Sequence, residues 1–388
     1  MKILAIETSC DETGIALVEA EKIGAQAFEF EVLDAALHSQ AALHAEYGGV
    51  YPNLAKREHE KNLPILYRQF ANEKVNAIAV THGPGLEPAL WTGIEFAKRV
   101  AREQKLPLIP TNHLEGHLLS SLVSFDGPPA NAGRHGTLEN VSLPVLALLI
   151  SGGHSEFVVM KDWLEYELVG QTLDDAVGEC FDKVARMLGL PYPGGPEISK
   201  LANLARASET ENSPRASGGN SGFEHPLDDL QREKAIPAAK LPRPMIQTKD
   251  CDMSFSGLKT AALYALRDLG GLEKLSDDER AAFAREFEDA VTDVLVAKTR
   301  RAIEQTGAQT FVIGGGVAAN THIRQSLQAL IEKEFPDVAI RLPILSITGD
   351  NAVMIAIAAL VRELSLAPVT PDPEGIRAHG RLSISAVK

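Results

Sequence analysis

Short apolar segments alternate with polar, glycine-containing turns along the first third of the chain. Residues 2–7 (KILAIE) and 14–18 (GIALV) have the composition of buried strands, and the polar turn at 8–13 joins them as a hairpin. Residues 75–80 predict another strand, which ends in the turn 81–86 (THGPGL) and is followed by a helix. This alternation of strands and helices predicts an α/β domain.

The second part of the chain has the same arrangement of elements without repeating the sequence. Residues 145–150 (VLALLI) and 155–160 predict two strands, which the tight turn 151–154 (SGGH) connects. Residues 310–313 predict a strand that ends in three consecutive glycines, 314–316, before a helix. Two units of similar build are therefore expected.

Composition limits the class of protein. The chain has 388 residues, of which 45% are hydrophobic and 23% charged, enough for two or three domains with sizeable cores. The first apolar stretch stops at Glu7 and no apolar run is long enough to span a bilayer, so neither a signal peptide nor a membrane segment is expected. Three widely spaced cysteines indicate a reducing compartment, so we expect a cytoplasmic location. With a net charge of −14, RNA binding would require a local basic patch or a basic partner.

Residues 111–117 (TNHLEGH) place two histidines four positions apart on a predicted helix that begins after good N-cap residues. His113 and His117 therefore leave the same helix face, which suits a transition metal that has at least one further protein ligand. The zinc-protease pattern H-E-x-x-H is not met, because leucine follows the first histidine and Glu115 lies nearly on the opposite side. From this segment alone, two histidines without a metal are an equally good interpretation.

Polar turns supply the other candidate chemistry. The glycine-rich turn at 314–316 lies between a strand and a helix N-terminus and could hold a phosphate, although tight packing would also explain its glycines. The turn at 8–13 could place the acids Glu7, Asp11 and Glu12 near a metal or a proton, although on this signal alone a plain hairpin loop is the better interpretation. Asp350 precedes an apolar helix at 352–361 and is either its N-cap, the commoner role, or the third metal ligand.

Nine motifs resemble, in their order, those of one family. They are IETSCDETG (6–14), THGPGL (81–86), NHLEGH (112–117), SGGH (151–154), GECFDK (178–183), YPGGP (192–196), SFSGLK (254–259), GGVAAN (315–320) and DN (350–351). The chain is similar to the TsaD family of tRNA threonylcarbamoyladenosine synthesis, once known as glycoproteases, from residue 1 to about residue 364, outside the loops near 126–141 and 204–240. It departs from the family's usual Cys-Thr-Asp-Asn by having Thr-Gly-Asp-Asn at 348–351.

The resemblance implies an α/β fold with two RNase-H-like domains, as in the actin, sugar-kinase and heat-shock-chaperone (ASKHA) superfamily, whose members clamp a nucleotide between two lobes. The expected division is a first lobe at 1–124 with the histidine ligands, a linker loop at 125–142 and a second lobe at 143–364. The last helix of the second lobe can pack back on the first. An insertion at 204–240 and a tail at 365–388 complete the expected organisation.

The activity that the resemblance implies is transfer of a threonylcarbamoyl group from threonylcarbamoyl-adenylate to the exocyclic amine of adenosine 37, in tRNAs that read codons beginning with A. The family pattern implies that His113, His117 and Asp350 hold one divalent metal, expected to be Fe²⁺ with Zn²⁺ as the alternative. We expect Glu12 or Asp11 to accept the proton of the attacking amine. The adenylate-containing donor, or ATP in its place, is expected along Leu149, Ile150, Ser151, Gly152, Gly153, Asp182, Gly195 and Asn320.

The implied partners are tRNA, a TsaB-like non-catalytic paralogue and a TsaE-like ATPase. A small-molecule kinase or ATPase of the same superfamily is an alternative, but it would have no need of the His113 and His117 pair. A second alternative is a nucleotide-binding scaffold subunit without chemistry, which the complete set of metal ligands disfavours.

Overall fold

A computed structural model describes residues 1–126, 133–212, 240–366 and 372–386. Two β-sheets form the framework of the protein. The predicted insertion at 204–240 is helical as far as Asn212, and the rest of it up to residue 239 lies outside the described residues, as do parts of the predicted linker and tail. Within the described ranges, no helix is both long and apolar enough to cross a bilayer.

The first sheet contains seven strands in the order β5-β4-β1-β2-β3-β7-β6. Their bounds are β1 Lys2–Glu7, β2 Glu12–Gly24, β3 Ala27–Ser39, β4 Ala77–Gly83, β5 Leu108–Asn112, β6 Ser124–Phe125 and β7 Arg134–Leu138. β1 pairs antiparallel with β2, with Glu7 opposite Gly14, and parallel with β4. The polar turn between β1 and β2 therefore lies at the same edge as the end of β4.

The second sheet repeats this topology with five strands in the order β10-β9-β8-β11-β12. Their bounds are β8 Val145–Ile150, β9 Ser155–Asp162, β10 Glu165–Gln171, β11 Thr310–Gly314 and β12 Ala339–Arg341. In each sheet three antiparallel strands are followed by two parallel ones, in the same spatial order. This repeat confirms the prediction of two RNase-H-like units in an α/β chain.

Ten α-helices are described. They are α1 Ala41–Ala45, α2 Pro52–Tyr67, α3 Glu87–Gln104, α4 His113–Leu122, α5 Val177–Met187, α6 Gly194–Asn212, α7 Ser256–Asp268, α8 Asp277–Thr306, α9 Thr321–Glu334 and α10 Ala352–Ser365. The side chain of Ser276 and that of Glu279 form a capping box at the start of the long α8.

Helix α10 determines where the two halves of the chain meet. Its residues from Ala352 to Val361 are all buried, so this segment needs apolar cover on every side. It follows the second sheet in sequence but packs on α4 and on strands of the first sheet. The side chains of Met354 and Ile355 lie directly over Gly116 of α4. Residues at the start of α10 are thereby brought beside α4.

The prediction of a loop throughout 125–142 is wrong for residues 134–138, which form strand β7 and pair with β3. Only Gly136 and Leu138 of this strand are buried, because it lies near the edge of the sheet. Its polar composition therefore resembles that of a loop. The ring of Phe125 and the side chain of Val123 pack against Gly136. The proposed division into lobes stays a prediction.

Candidate metal centre and nucleotide cleft

The start of α4 places two imidazoles in a buried site. Asn112 is the N-cap, and its Oδ1 accepts hydrogen bonds from the N–H groups of Leu114 at 2.9 Å and Glu115 at 3.2 Å. His113 and His117 are 3% and 2% exposed, and their ring centroids lie 4.7 Å apart with the planes at 88°. The predicted helix and cap are confirmed, and both rings leave one face.

Asp350 joins the two histidines from a position more than 200 residues later in the sequence. Its Oδ1 lies 3.1 Å from His117 Nε2 and 3.5 Å from His113 Nε2. The N-cap of α10 is Asn351, whose Oδ1 accepts the N–H of Met354 at 3.0 Å. Of the two roles that the sequence left open for Asp350, N-capping is therefore wrong, and its carboxylate is available as a ligand.

These three side chains fit a divalent transition metal. One ligand atom from each of His113, His117 and Asp350 lies within 4.8 Å of the others. An ion about 2.0–2.2 Å from nitrogen and oxygen ligands at tetrahedral or octahedral angles holds neighbouring ligand atoms about 3–3.6 Å apart. The separations of 3.1 and 3.5 Å agree with that spacing. Two imidazoles and one carboxylate suit iron, zinc or a similar ion and leave coordination positions for other ligands.

Glu7 contacts His113 at the ring nitrogen opposite the one that faces Asp350. Its carboxylate is fully buried at the end of β1, and Oε2 lies 3.4 Å from His113 Nδ1. The hydroxyl of Thr81 and the N–H of Ser9 donate to the same carboxylate. A carboxylate behind a ligating histidine fixes the ring and its tautomer. From its place beside the polar turn at 8–13, Glu7 was expected near a metal or a proton, without a defined role.

The charges of the group favour a bound cation. Burial would raise the pKa of Asp350, but His113 and His117 hold it well below its usual range. Burial lowers the pKa of His113, but Asp350 and Glu7 outweigh it and raise the value to about 9. Burial lowers the pKa of His117. The negative charges of Asp350 and Glu7 thus favour a positive charge at His113, in the form of a bound proton. A metal ion at the site would supply that positive charge instead.

Asp11 and Glu12 lie at the edge of the same site. Asp11 is buried in the turn after β1, and Glu12 is the first residue of β2, where Ser39 donates a hydroxyl hydrogen bond to its carboxylate at 3.2 Å. Burial raises the pKa of Glu12 to about 9, assisted by the charges of Asp11 and Asp350. The carboxyl groups of Asp11 and Asp350 are thus close enough to Glu12 to disfavour its negative charge.

The turn after β8 faces the metal group from the second sheet. Leu149 and Ile150 are buried in the strand, whereas a side chain at Gly152 or Gly153 would meet no described atom within 4 Å. The turn is closed by Ser151 N–H, which donates to the carbonyl of His154 at 2.8 Å. Its open face leaves room for a ligand.

His154 is a site residue that the sequence analysis did not assign. Burial and, to a smaller extent, the nearby His113 and His117 lower the pKa of His154 to about 4. Asp350 opposes this shift by raising the pKa. His154 is therefore a neutral imidazole close enough to the metal group to interact with its charges. Its position directly after a small-residue turn at the end of a strand was the signal that could have identified it.

Asp182 of α5 and Gly195 of α6 belong to the second half of the chain. Asp182 Oδ1 accepts the N–H of Gly194 at 2.7 Å, so α5 and the start of α6 are held together. Burial raises the pKa of Asp182, and Asp11 in the first half of the chain raises it further. The structure therefore places Asp182 opposite the turn that holds Asp11.

Asn320 has internal partners for its whole side chain. Its Oδ1 caps α9 by accepting the N–H of Ile323 at 3.0 Å. Its Nδ2 donates to Ser199 Oγ at 2.8 Å and Glu288 Oε1 at 2.7 Å. A contact with the donor stays a prediction for this residue.

Gly315 brings the β11 turn against the β8 turn. Its φ is +89°, a conformation that favours glycine, and a side chain there would collide with the carbonyl of Ile150. This close approach places two of the predicted glycine-rich turns side by side.

Two sheets that repeat the same strand order, with three antiparallel strands followed by two parallel ones, define a protein of the ASKHA class. The family profile of tRNA N6-adenosine threonylcarbamoyltransferase (TsaD) matches residues 31–357. Proteins of that name from Paraburkholderia xenovorans (strain LB400) and Burkholderia pseudomallei (strain 1106a) are 41% identical over 368 and 373 residues, covering 93% of this chain and 92% of each relative. The chain belongs to the tRNA N6-adenosine threonylcarbamoyltransferase family.

Similarity to solved structures is more remote. Full-length HypF in its phosphate- and nucleotide-bound form is 12% identical with a TM-score of 0.48, over 93% of this chain and 46% of that chain. The family match does not favour the kinase or scaffold alternatives.

Proposed function

We propose that the protein transfers a threonylcarbamoyl group from threonylcarbamoyl-adenylate to the exocyclic amine of adenosine 37, in tRNAs that read codons beginning with A. Membership of the family supports a tRNA adenosine as the acceptor. The observation that best supports the chemistry is the convergence of His113, His117 and Asp350 beside Glu12 and the open turn at 151–153.

His113, His117 and Asp350 would hold one divalent ion, proposed to be Fe²⁺ with Zn²⁺ as the alternative, which supplies a Lewis acid for a substrate oxygen when bound. Glu7 keeps the His113 ring oriented so that Nε2 faces Asp350. The fit of the ligand spacing and the burial of both rings support this assignment.

The donor would lie along the turns after β8 and β11. Its acyl and phosphate groups can approach the backbone at 151–153, where glycines leave the surface open. Asp182 and Gly195 would border the opposite side of the donor. ATP could occupy the same turns in place of the adenylate, because both have the adenosine phosphate that such turns bind.

The reaction needs a proton acceptor, because the adenine amine is a weak nucleophile. Its nitrogen attacks the carbamoyl carbon, the bond from that carbon to the phosphate oxygen breaks, and AMP leaves with the bonding electron pair. The proton lost by the amine would pass to Asp11 or Glu12, which lie at the edge of the metal group. Burial and the charges of Asp11 and Asp350 raise the pKa of Glu12 to about 9, so Glu12 would act as the acceptor in the ionised form that a bound cation favours.

We place the protein in the cytoplasm, working with a TsaB-like paralogue and a TsaE-like ATPase. All three cysteines are free thiols, in keeping with a reducing compartment. The net charge of −14 means that basic side chains on a partner would assist tRNA binding.

The test is a transfer assay with threonylcarbamoyl-adenylate, tRNA and the partner proteins, together with elemental analysis. Glu12→Gln should lower transfer by roughly 100-fold or more if Glu12 is the acceptor, with unchanged metal content. Glu19→Gln, an exposed glutamate on the same strand, is the matched control. Unchanged transfer by the Glu12 variant would remove this residue from the mechanism, and a wild-type protein that transfers nothing in the complete mixture would refute the function.

A further inference from the structure

Two tyrosines beside the candidate site are stacked on each other and open to solvent. Tyr47 is 59% and Tyr51 52% exposed, and their ring centroids lie 5.8 Å apart with the planes at 22°. They flank the glycine turn at 48–49 between α1 and α2. We call Tyr47 and Tyr51 the tyrosine pair. Neither the metal group nor the proposed donor site uses it.

A buried hydrogen-bond chain fixes the segment of the tyrosine pair relative to the catalytic turn. The N–H of Tyr51 donates to His44 Nδ1 at 3.3 Å, so His44 Nε2 is the donor to Gln40 Oε1 at 3.2 Å. The backbone N–H of Gln40 donates to the carbonyl of Asp11 at 3.0 Å. His44 and Gln40 are fully buried. The pair is therefore a pre-positioned surface at the rim of the cleft.

Cationic side chains border the tyrosine pair although the whole chain is acidic. The side chain of Arg186 packs against Gly48, within the turn between the two tyrosines. Arg57 is exposed on the second turn of α2, and so is Lys56, which also forms a half-exposed ion pair with Glu60 at 3.7 Å. Arginine and lysine beside exposed aromatic rings are the combination that binds single-stranded nucleic acid, because the rings stack on bases and the cations meet phosphates.

We propose that the tyrosine pair is a stacking surface for unpaired bases of the tRNA anticodon loop next to the adenosine that is modified. This inference rests on the proposed function, which requires that adenosine to leave its stack and enter the cleft beside Asp11. A neighbouring base stacked on Tyr47 or Tyr51 would replace the lost base stacking and hold the loop at the rim.

The test uses the full-length chain and a short anticodon stem-loop RNA with an unmodified adenosine, by fluorescence anisotropy at fixed salt. Y47A/Y51A should weaken binding by about 10-fold or more, whereas Y47F/Y51F, which keeps the rings, should stay within about 2-fold of wild type. In the transfer assay, Y47A/Y51A should raise the KM for tRNA by a similar factor.

The outcomes separate this inference from the proposed function. If wild type binds the RNA through the tyrosine pair but transfers nothing, the function fails and the stacking surface stands. Unchanged RNA affinity in Y47A/Y51A would overturn the inference. Sedimentation of the same variant tests whether the tyrosine pair binds protein instead. A loss of self-association or of binding to a paralogous protein, with unchanged RNA affinity, would also overturn the inference.

Discussion

Glu115 connects the metal helix to the rest of the protein through a fully buried carboxylate. Its Oε1 accepts hydrogen bonds from Tyr166 of β10 at 2.8 Å and Arg362 of α10 at 3.0 Å. It thus ties α4 both to the second sheet and to the helix that follows Asp350. Burial raises the pKa of Glu115, and the contacts with Arg362 and Tyr166 pull it back.

Removing this carboxylate should cost stability that the contacts allow us to estimate. Glu115→Ala leaves the largely buried Arg362 without this counter-charge, and breaking one partner of a buried ion pair costs about 3–5 kcal/mol. We expect a cost at the lower end of this range, because the buried Glu115 Oε2 has no hydrogen-bond partner among the described atoms and its removal relieves an unfavourable burial. Tyr166→Phe removes one hydrogen bond to a charged group and should cost about 1.5–3 kcal/mol.

Two separate measurements test this. Urea unfolding gives the free energy of unfolding of each variant, and a Co²⁺ titration of the folded protein gives its metal affinity. Because Glu115 positions α4 relative to α10, we expect Co²⁺ affinity to fall by about 10-fold in Glu115→Ala, the smallest effect usual for groups that orient metal ligands. Lys298→Met is the control, since Lys298 is equally buried but contacts Thr248 and Asp250 away from the site. An unfolding free energy for Glu115→Ala within 1 kcal/mol of wild type, or an equal loss of Co²⁺ affinity in the control, would refute this account.

Three further predictions concern the site and the chain around it. Asp350→Asn should weaken Co²⁺ binding by at least about 10-fold with the fold intact, and an unchanged titration would exclude Asp350 as a ligand. Gly315→Ala should lower the unfolding free energy by about 1–3 kcal/mol, since its φ is +89° and a side chain would strike Ile150, and equal urea midpoints would contradict this. Burial, with His379 beside it, lowers the pKa of His82 to about 4, so the unfolded state binds more protons between pH 6.5 and 4. The unfolding free energy should therefore fall by about 2–4 kcal/mol as pH drops through that window, and His82→Gln should remove this part of the loss in pH-dependent melting; an identical pH slope would count against it.

Local patterns were sufficient for the elements of the site. The helical period places His113 and His117 on one face, and the Asn112 cap is readable from residue type and position. The two strand–turn–strand units were likewise visible in the alternation of apolar segments with small-residue turns. These features depend on residues within a few positions of one another, so backbone geometry fixes them.

Other features needed the surrounding structure. The strand at Arg134–Leu138 has too few buried positions for its pattern to differ from a loop, and only pairing with β3 defines it. Asn320 follows a glycine-rich turn as a ligand-binding residue would, yet its amide is occupied by α9, Ser199 and Glu288. Nothing local distinguishes such a cap from a ligand contact.

The amino-acid sequence by itself determined the family, the α/β class and the pair of histidines, because each is a matter of residue identity and short spacing. Only the tertiary structure decided that Asp350 meets those histidines, that Glu7 lies behind His113 and that His154 lies near them. The physical reason is the packing of α10. Its apolar segment from Ala352 to Val361 is buried against α4 and the first sheet, and that burial brings a carboxylate from the far end of the chain to the metal helix.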